Sequence, residues 1–274
     1  MTDLDVSAFR TTVMDYYQAH GRHDMPWRIP EVDGSFDPYK ILVSELMLQQ
    51  TQVNRVIPKF NEFIELFPSI ETLAASSLAA VLTAWSGLGY NRRAKFLHEA
   101  AKYIVDDCGG LFPEQMEELV KISGVGKNTA GAILAYAFNQ PTSFVETNIR
   151  TVYFYHFFQG REGVTDAEIT EAVQKTLPKD NVRLWFWALM DYGAHLKAFG
   201  MKLNKLSKHY AKQSKFEGSK RQIRGKVISE LTFQDQEHAD LARLIPDSRL
   251  SEVLTDLLGE QLITKTGANY HLSR

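Results

Sequence analysis

The stretch Leu119-Val120-Lys121-Ile122-Ser123-Gly124-Val125-Gly126-Lys127-Asn128-Thr129 constrains this chain more than any other. Ile122 and Val125 are apolar pegs around a tight turn. Gly124 and Gly126 let that turn take angles, and approach a partner closely, where a side chain would interfere. A helix is predicted to start at Asn128 or Thr129 and to continue through the Ala-Ile-Leu run that follows. The free N–H groups of such a turn and helix start point outward and form an anion site. With Lys127 beside them, the natural anion is a nucleic-acid phosphate. An ordinary helix–glycine–helix corner uses the same residues, and so short a motif does not separate the two readings.

The remaining composition narrows the class. At 274 residues, 44% of them hydrophobic, the chain can bury one large core or two modest ones. Asp3 and Asp5 stand where a cationic leader would begin, and no apolar run approaches a membrane span. The expectation is a soluble, cytoplasmic monomer with no membrane partner. Cys108 is the only cysteine, which leaves no internal disulfide and no multi-thiolate metal site. The net charge of −2 argues against nucleic acid, but its distribution argues for it. Lys197–Lys226 carries ten Lys or Arg against one acid, Glu217, leaving 21 basic and 32 acidic residues elsewhere. A run so poor in acids reads as a phosphate-facing surface, with a merely solvated face as the alternative.

Helices are predicted over Phe9–His20, Tyr39–Gln49, Val53–Phe67, a pair between Ser69 and Ser86, Arg92–Cys108, Pro113–Val120, Asn148–Phe158, Asp166–Leu177 and Val182–Phe199. Period-2 alternation is nearly absent, so residues 1–199 read as an all-α core. Residues 200–219 read as a basic linker. In residues 220–274, helices over Arg221–Leu231, His238–Leu244 and Arg249–Glu260 precede a hairpin around Gly267-Ala268-Asn269. That order is the pattern of a winged helix-turn-helix, a module that sets its last helix on DNA or serves protein interaction.

A longer array then emerges. It comprises Pro26-Trp27-Arg28, Ser44-Glu45-Leu46-Met47-Leu48-Gln49-Gln50-Thr51, Gly87-Leu88-Gly89-Tyr90, Gly124 to Leu134, and Met190-Asp191-Tyr192-Gly193-Ala194. In order and spacing it resembles the MutY-like adenine DNA glycosylases of the helix-hairpin-helix base-excision superfamily, over roughly residues 20–197. The resemblance implies a two-lobed helical core that binds double-stranded DNA, flips a base and hydrolyses its N-glycosidic bond.

Cleaving that bond leaves a cationic sugar and an anionic base, so one protonated and one ionised carboxyl are wanted. By its match to the family motif, Glu45 is the proton donor. Glu146 occupies the position of a family Asp, and one added methylene displaces the carboxylate. Asp191 is a further acid with a structural role by resemblance. The resemblance places Trp27, Arg28, Asn148 and Trp187 around the base, Trp187 replacing a polar residue. Gln50 matches the wedge that fills the vacated stack, and Tyr90 the probe of the opposite strand. Gly124, Val125, Gly126, Lys127, Asn128 and Thr129, with Lys205 and Lys208, are the expected DNA contacts. Trp27 and Tyr90 could instead be core aromatics, and Gln50 an ordinary turn residue.

Asn128 stands where bifunctional relatives carry the lysine that attacks the sugar. An amide cannot form a Schiff base, so a monofunctional enzyme without strong lyase activity is expected, although Lys127 is adjacent. Family members usually hold a four-iron, four-sulfur cluster. Here Lys197 stands at the first ligand position and no cysteine follows it, so no cluster, no other metal and no cofactor is expected, a monovalent cation at the hairpin excepted. Packing by Leu196, Phe199, Leu203, Leu206 and Tyr210 is expected to replace the cluster. The family's Nudix-like domain is expected to be absent, with the winged helix in its place, which together with Glu146 and Trp187 argues against 8-oxoguanine:adenine specificity. By resemblance adenine is the default substrate; another purine lesion, a mismatched pyrimidine, or non-catalytic binding of distorted duplex are the alternatives.

Overall fold

The computed structural model describes residues 3–201, 203–208 and 215–274. Its helices are α1 (Asp3–His20), α2 (Pro38–Leu48), α3 (Val53–Leu66), α4 (Ile70–Ala75), α5 (Leu78–Ala84), α6 (Arg92–Asp106), α7 (Met116–Leu119), α8 (Lys127–Tyr136), α9 (Thr147–Phe157), α10 (Asp166–Thr176) and α11 (Val182–Ala198). Short 3-10 turns lie at Pro26–Arg28 and Leu203–Leu206. After these come α12 (Lys220–Leu231), β1 (Gln236–Glu237), α13 (His238–Leu244), α14 (Leu250–Gly259), β2 (Ile263–Thr266) and β3 (Asn269–Leu272).

Local chemistry fixes many of these boundaries. Ser69 and Ser77 accept from the N–H groups of Thr72 and Ala80 to cap α4 and α5. Thr165 and Glu168 close a capping box on α10. Gly109 and Gly110, both at positive φ, end α6. Most boundaries fall within two residues of the sequence expectation, among them α8, which starts at Lys127, one residue before Asn128. The larger differences are that α1 begins at Asp3 rather than Phe9 and that α7 is a single turn.

The described residues divide into two compact units, Met1–Ile41 with Glu114–Lys121 and Val125–Lys212, and Leu42–Pro113 with Ile122–Gly124 and Gln213–Arg274. In the first unit α9 packs on α11, and α1 on α11. Gly193 permits the first of these contacts, because a Cβ there would lie 2.3 Å from the Asn148 carbonyl oxygen. Phe9 meets the rings of Tyr153, Phe157 and Trp185 edge-on, and Phe144 stacks on Phe186 at 4.3 Å. Arg10 ties α1 to the end of α10 by donating to the carbonyls of Thr176 and Leu177.

In the second unit α4 and α5 pack on α6 around Leu73, Leu82, Trp85, Leu97 and Ile104, all buried. The C-terminal residues belong to this same unit. There α12 packs on α14 through Ile223, Val227, Val253 and Leu257, above an antiparallel sheet ordered β1-β3-β2. Thr266 pairs with Asn269, so the expected hairpin closes on a two-residue turn at Gly267-Ala268. The sequence reading missed β1, whose two residues pair with Tyr270 and Asn269.

Candidate active site

Glu45 sits half-buried on α2, between fully packed Leu42, Val43, Ser44, Leu46 and Met47. Just beyond the end of α2 the chain turns at Gln50, which is exposed and left-handed at φ 57°. Tyr90, at the end of the Gly87-Leu88-Gly89 turn, is left-handed too, at φ 49°. Such angles cost a side-chain-bearing residue on the order of 1 kcal/mol or more and persist only where surroundings enforce them.

Arg93 enforces both. Its Nη1 lies 2.7, 2.8 and 2.6 Å from the carbonyl oxygens of Leu46, Met47 and Gln49. Its Nη2 donates to Thr51 Oγ1 and to the Gly89 carbonyl, each at 3.0 Å. One buried guanidinium therefore satisfies the orphan carbonyls at the end of α2 and locks the Gln50 turn to the Tyr90 turn. Burial pushes the Arg93 guanidinium down to about 10, which leaves it cationic at neutral pH. The sequence reading missed this residue. Its signal was an arginine on the apolar stripe of α6, in line with Leu97, Ala101 and Ile104.

The hairpin has the expected form. Gly124 adopts φ +77°, and a Cβ there would sit 2.8 Å from the Phe96 Cβ, so glycine is required on both counts. Ile122 and Val125 are buried pegs, while Gly126, Lys127 and Asn128 are exposed and Thr129 is buried. Gly126 caps α8 without a side chain, so the first-turn N–H groups keep their capacity for an anion.

Asn128 does more than leave a lysine out. Its Nδ2 donates to the Val145 carbonyl and its Oδ1 accepts from the Val145 N–H, each at 3.3 Å. The next residue, Glu146, is the N-cap of α9. Burial pushes the Glu146 carboxyl above the usual glutamate range. The Arg150 charge and the Thr147 N–H oppose that shift without cancelling it. Arg150 is itself held by both carboxylate oxygens of Asp166 at 2.9 Å.

Asp191 is taken up structurally. It receives the guanidinium groups of Arg22 and Arg28, the latter at 2.8 and 3.0 Å, and the Arg22 N–H at 2.8 Å. Burial pushes this carboxyl up, but the two arginines pull it below its ordinary value. Arg28 also lies 5.3 Å over the Trp187 ring, which contacts Phe36 and Tyr136. Trp27 and Trp187 are each 6% exposed. Asn148 accepts from Lys197 Nζ at 3.1 Å.

The segment after α11 needs a correction. Leu196 is buried and Leu203 and Leu206 half-buried, but Phe199 is 74% exposed and packs no core; Tyr210 lies outside the described residues. Main-chain bonding joins this segment to the first unit instead. Gly163 N donates to the Leu206 carbonyl, Lys208 N to Val164, and Asn204 Nδ2 to Thr151 Oγ1. The Lys205 and Lys208 side chains remain exposed. Within the cationic run, Lys197, Lys220, Arg221 and Arg224 have partners within the protein.

Comparison with known proteins places this arrangement. Residues 43–179 match the family model described as "HhH-GPD superfamily base excision DNA repair protein". A protein of Mycolicibacterium smegmatis named adenine DNA glycosylase is 31% identical, the match covering 90% of each chain. One of the same name from Buchnera aphidicola subsp. Baizongia pistaciae is 37% identical over 68% of this chain, which spans only 52% of that relative's length. A solved thermostable thymine-DNA glycosylase shares the fold, with a TM-score of 0.61 over 76% of this chain and 97% of its own at 23% identity. The chain belongs to the HhH-GPD superfamily of base excision DNA repair proteins. Both of these sequence relatives are named adenine DNA glycosylase.

Proposed function

We propose that this protein is a monofunctional DNA glycosylase that removes a mispaired adenine from duplex DNA. The observation that carries the reading is the fixing of Glu146, a desolvated carboxyl at a helix N-cap whose preceding peptide is gripped on both sides by Asn128. Phosphates bind the N–H groups of the hairpin, with Lys127, Lys205 and Lys208 adding charge. Gln50 enters the stack as the base leaves it, and Tyr90 meets the opposite strand.

Glu45 delivers its proton to the departing purine as the C1′–N bond breaks and its electron pair passes to the base. Ionised Glu146 stabilises the oxocarbenium-like sugar. Water then adds to C1′ and returns a proton to the Glu45 carboxylate. The products are free adenine and an abasic site. Asn128 cannot attack the sugar, so the strand stays intact until alkali is added.

The family's iron-sulfur cluster does not suit these residues. Lys197 stands at the first ligand position, and the one cysteine, Cys108, follows α6. The main-chain bonds of Leu206 and Lys208 support a stapling role for that segment without metal. We also infer a monomer. No helix among the described residues is long and apolar enough to cross a membrane.

A panel of duplexes, each with one mispair or lesion and read before and after alkali, tests the reading. Adenine release with alkali-dependent cleavage supports it. Release of a different base moves the substrate, and release of none leaves only a binder of distorted DNA.

A further inference from the structure

Arg221, in the first turn of α12, donates from Nη1 to the Tyr90 hydroxyl, and its guanidinium lies 5.5 Å from the centre of the Tyr90 ring. Arg93 lies 5.5 Å from the same ring. Tyr90 is therefore flanked by two cations, one from α6 and one from the C-terminal region. A second tie lies close by on α6. Lys95 Nζ donates to the Glu260 carbonyl at 2.9 Å and to Gln261 Oε1 at 3.0 Å. The C-terminal region is thus fastened to the Tyr90 turn by Arg221 and to the adjoining helix α6 by Lys95.

The helix that would read DNA in a winged-helix order is α14, and its chemistry is wrong for that task. Leu250–Gly259 contains no Lys or Arg. Its outer face carries Glu252 and Asp256, both engaged by Lys220 at 2.8 and 2.6 Å, and Arg224 is drawn to Glu260 just beyond it. Lys220 and Arg224 of α12 are turned toward these carboxylates. A helix that presents acids and no base is repelled by phosphates.

We propose that the C-terminal region serves as a brace for the Tyr90 turn, with Arg221 as the positioning residue, and that α14 does not enter a DNA groove. The role of Tyr90 on the opposite strand rests on the function proposed above; the brace itself does not. With the hydroxyl bonded and the ring flanked, the side chain meets the duplex already oriented.

A double-mutant cycle on the full chain tests this. Tyr90→Phe removes only the hydroxyl, and Arg221→Met keeps the side-chain length without its charge. Thermal unfolding should show non-additivity, the double variant losing little more than the worse single one. On a mispaired duplex, each single variant should raise KM by about fivefold with kcat little changed, and the double variant should match the single ones. Arg221→Lys should recover part of the loss. Separately, Thr255→Glu on the exposed face of α14 should leave duplex affinity within about twofold, whereas a reading helix would lose about tenfold or more. Additive losses in the cycle, or a large affinity loss from Thr255→Glu, would overturn the brace. A wild-type chain that releases no base refutes the proposed function instead, while the unfolding cycle and duplex binding still judge the brace.

Discussion

Asn128 and Val145 are joined as two strands would be: one carboxamide takes both the N–H and the carbonyl of a single residue, each at 3.3 Å. The link spans the hairpin helix and the peptide that leads into Glu146. A residue first notable for not being lysine therefore holds the backbone beside a candidate catalytic carboxylate. Asn128→Ala should cost about 1–2 kcal/mol, near one unit per bond lost. It should also lower base release by roughly 10- to 100-fold through misplacement of Glu146. Asn128→Asp sets a carboxylate against the Val145 carbonyl and should do no better. Calorimetry and single-turnover assays read both effects.

Arg93 should be irreplaceable by lysine. Lysine has one nitrogen, which cannot reach the α2 carbonyls and the Gly89 carbonyl together. Arg93→Lys should destabilise by about 2–4 kcal/mol as buried carbonyls lose their donors. It should also weaken mispaired-duplex binding, because Gln50 and Tyr90 lose their common anchor. Fluorescence of 2-aminopurine at the flipped position would report the uncoupling directly.

Glu146 gives a prediction with two signs. Its carboxyl titrates above the ordinary glutamate value in the fold because burial disfavours the charge. Activity that needs the ionised form should fall as pH drops through this raised value, so the acid limb lies higher than for a solvated glutamate. Stability runs the other way. The raised group favours the fold fully below its unfolded value of 4.5, and that contribution is lost as pH rises through the folded value. Glu146→Gln should therefore raise the thermal midpoint at neutral pH while removing base release.

Asp191 should behave oppositely. Its carboxyl is depressed by Arg28 and Arg22, so the stability it confers is present above the unfolded value of 3.8 and lost as pH falls through the folded one. The Arg28 and Asp191 side chains are 4% and 2% exposed, so Asp191→Asn strands a buried guanidinium. The expected cost is about 3 kcal/mol or more, a fall of roughly 5–10 °C in unfolding midpoint.

What the sequence revealed was local. The capping serines at 69 and 77, the Thr165–Glu168 box, the paired glycines after α6 and the required Gly124 all act within a few residues, and their elements were legible. The misses were matters of partnership over distance. Arg93 binds carbonyls more than forty residues away, as at Leu46, and Asp191 reaches back to Arg22 and Arg28. The basic run looked free because its acidic partners, Glu252, Asp256 and Glu260, lie far along the chain. Phe199 looked like core because aromatic character does not say which way a helix end faces. Gln50 and Tyr90 are left-handed without being glycine, which no residue type announces.

Base release by paired glutamine variants tests the central claim most directly. Duplexes carrying adenine opposite guanine or 8-oxoguanine would be mixed with excess wild-type protein, Glu45→Gln or Glu146→Gln, and free adenine followed over one turnover. The wild-type chain should release adenine. Each variant should bind the duplex with similar affinity yet release the base at least about 100-fold more slowly. Undiminished release by either variant would remove that carboxylate from the chemistry and contradict the account.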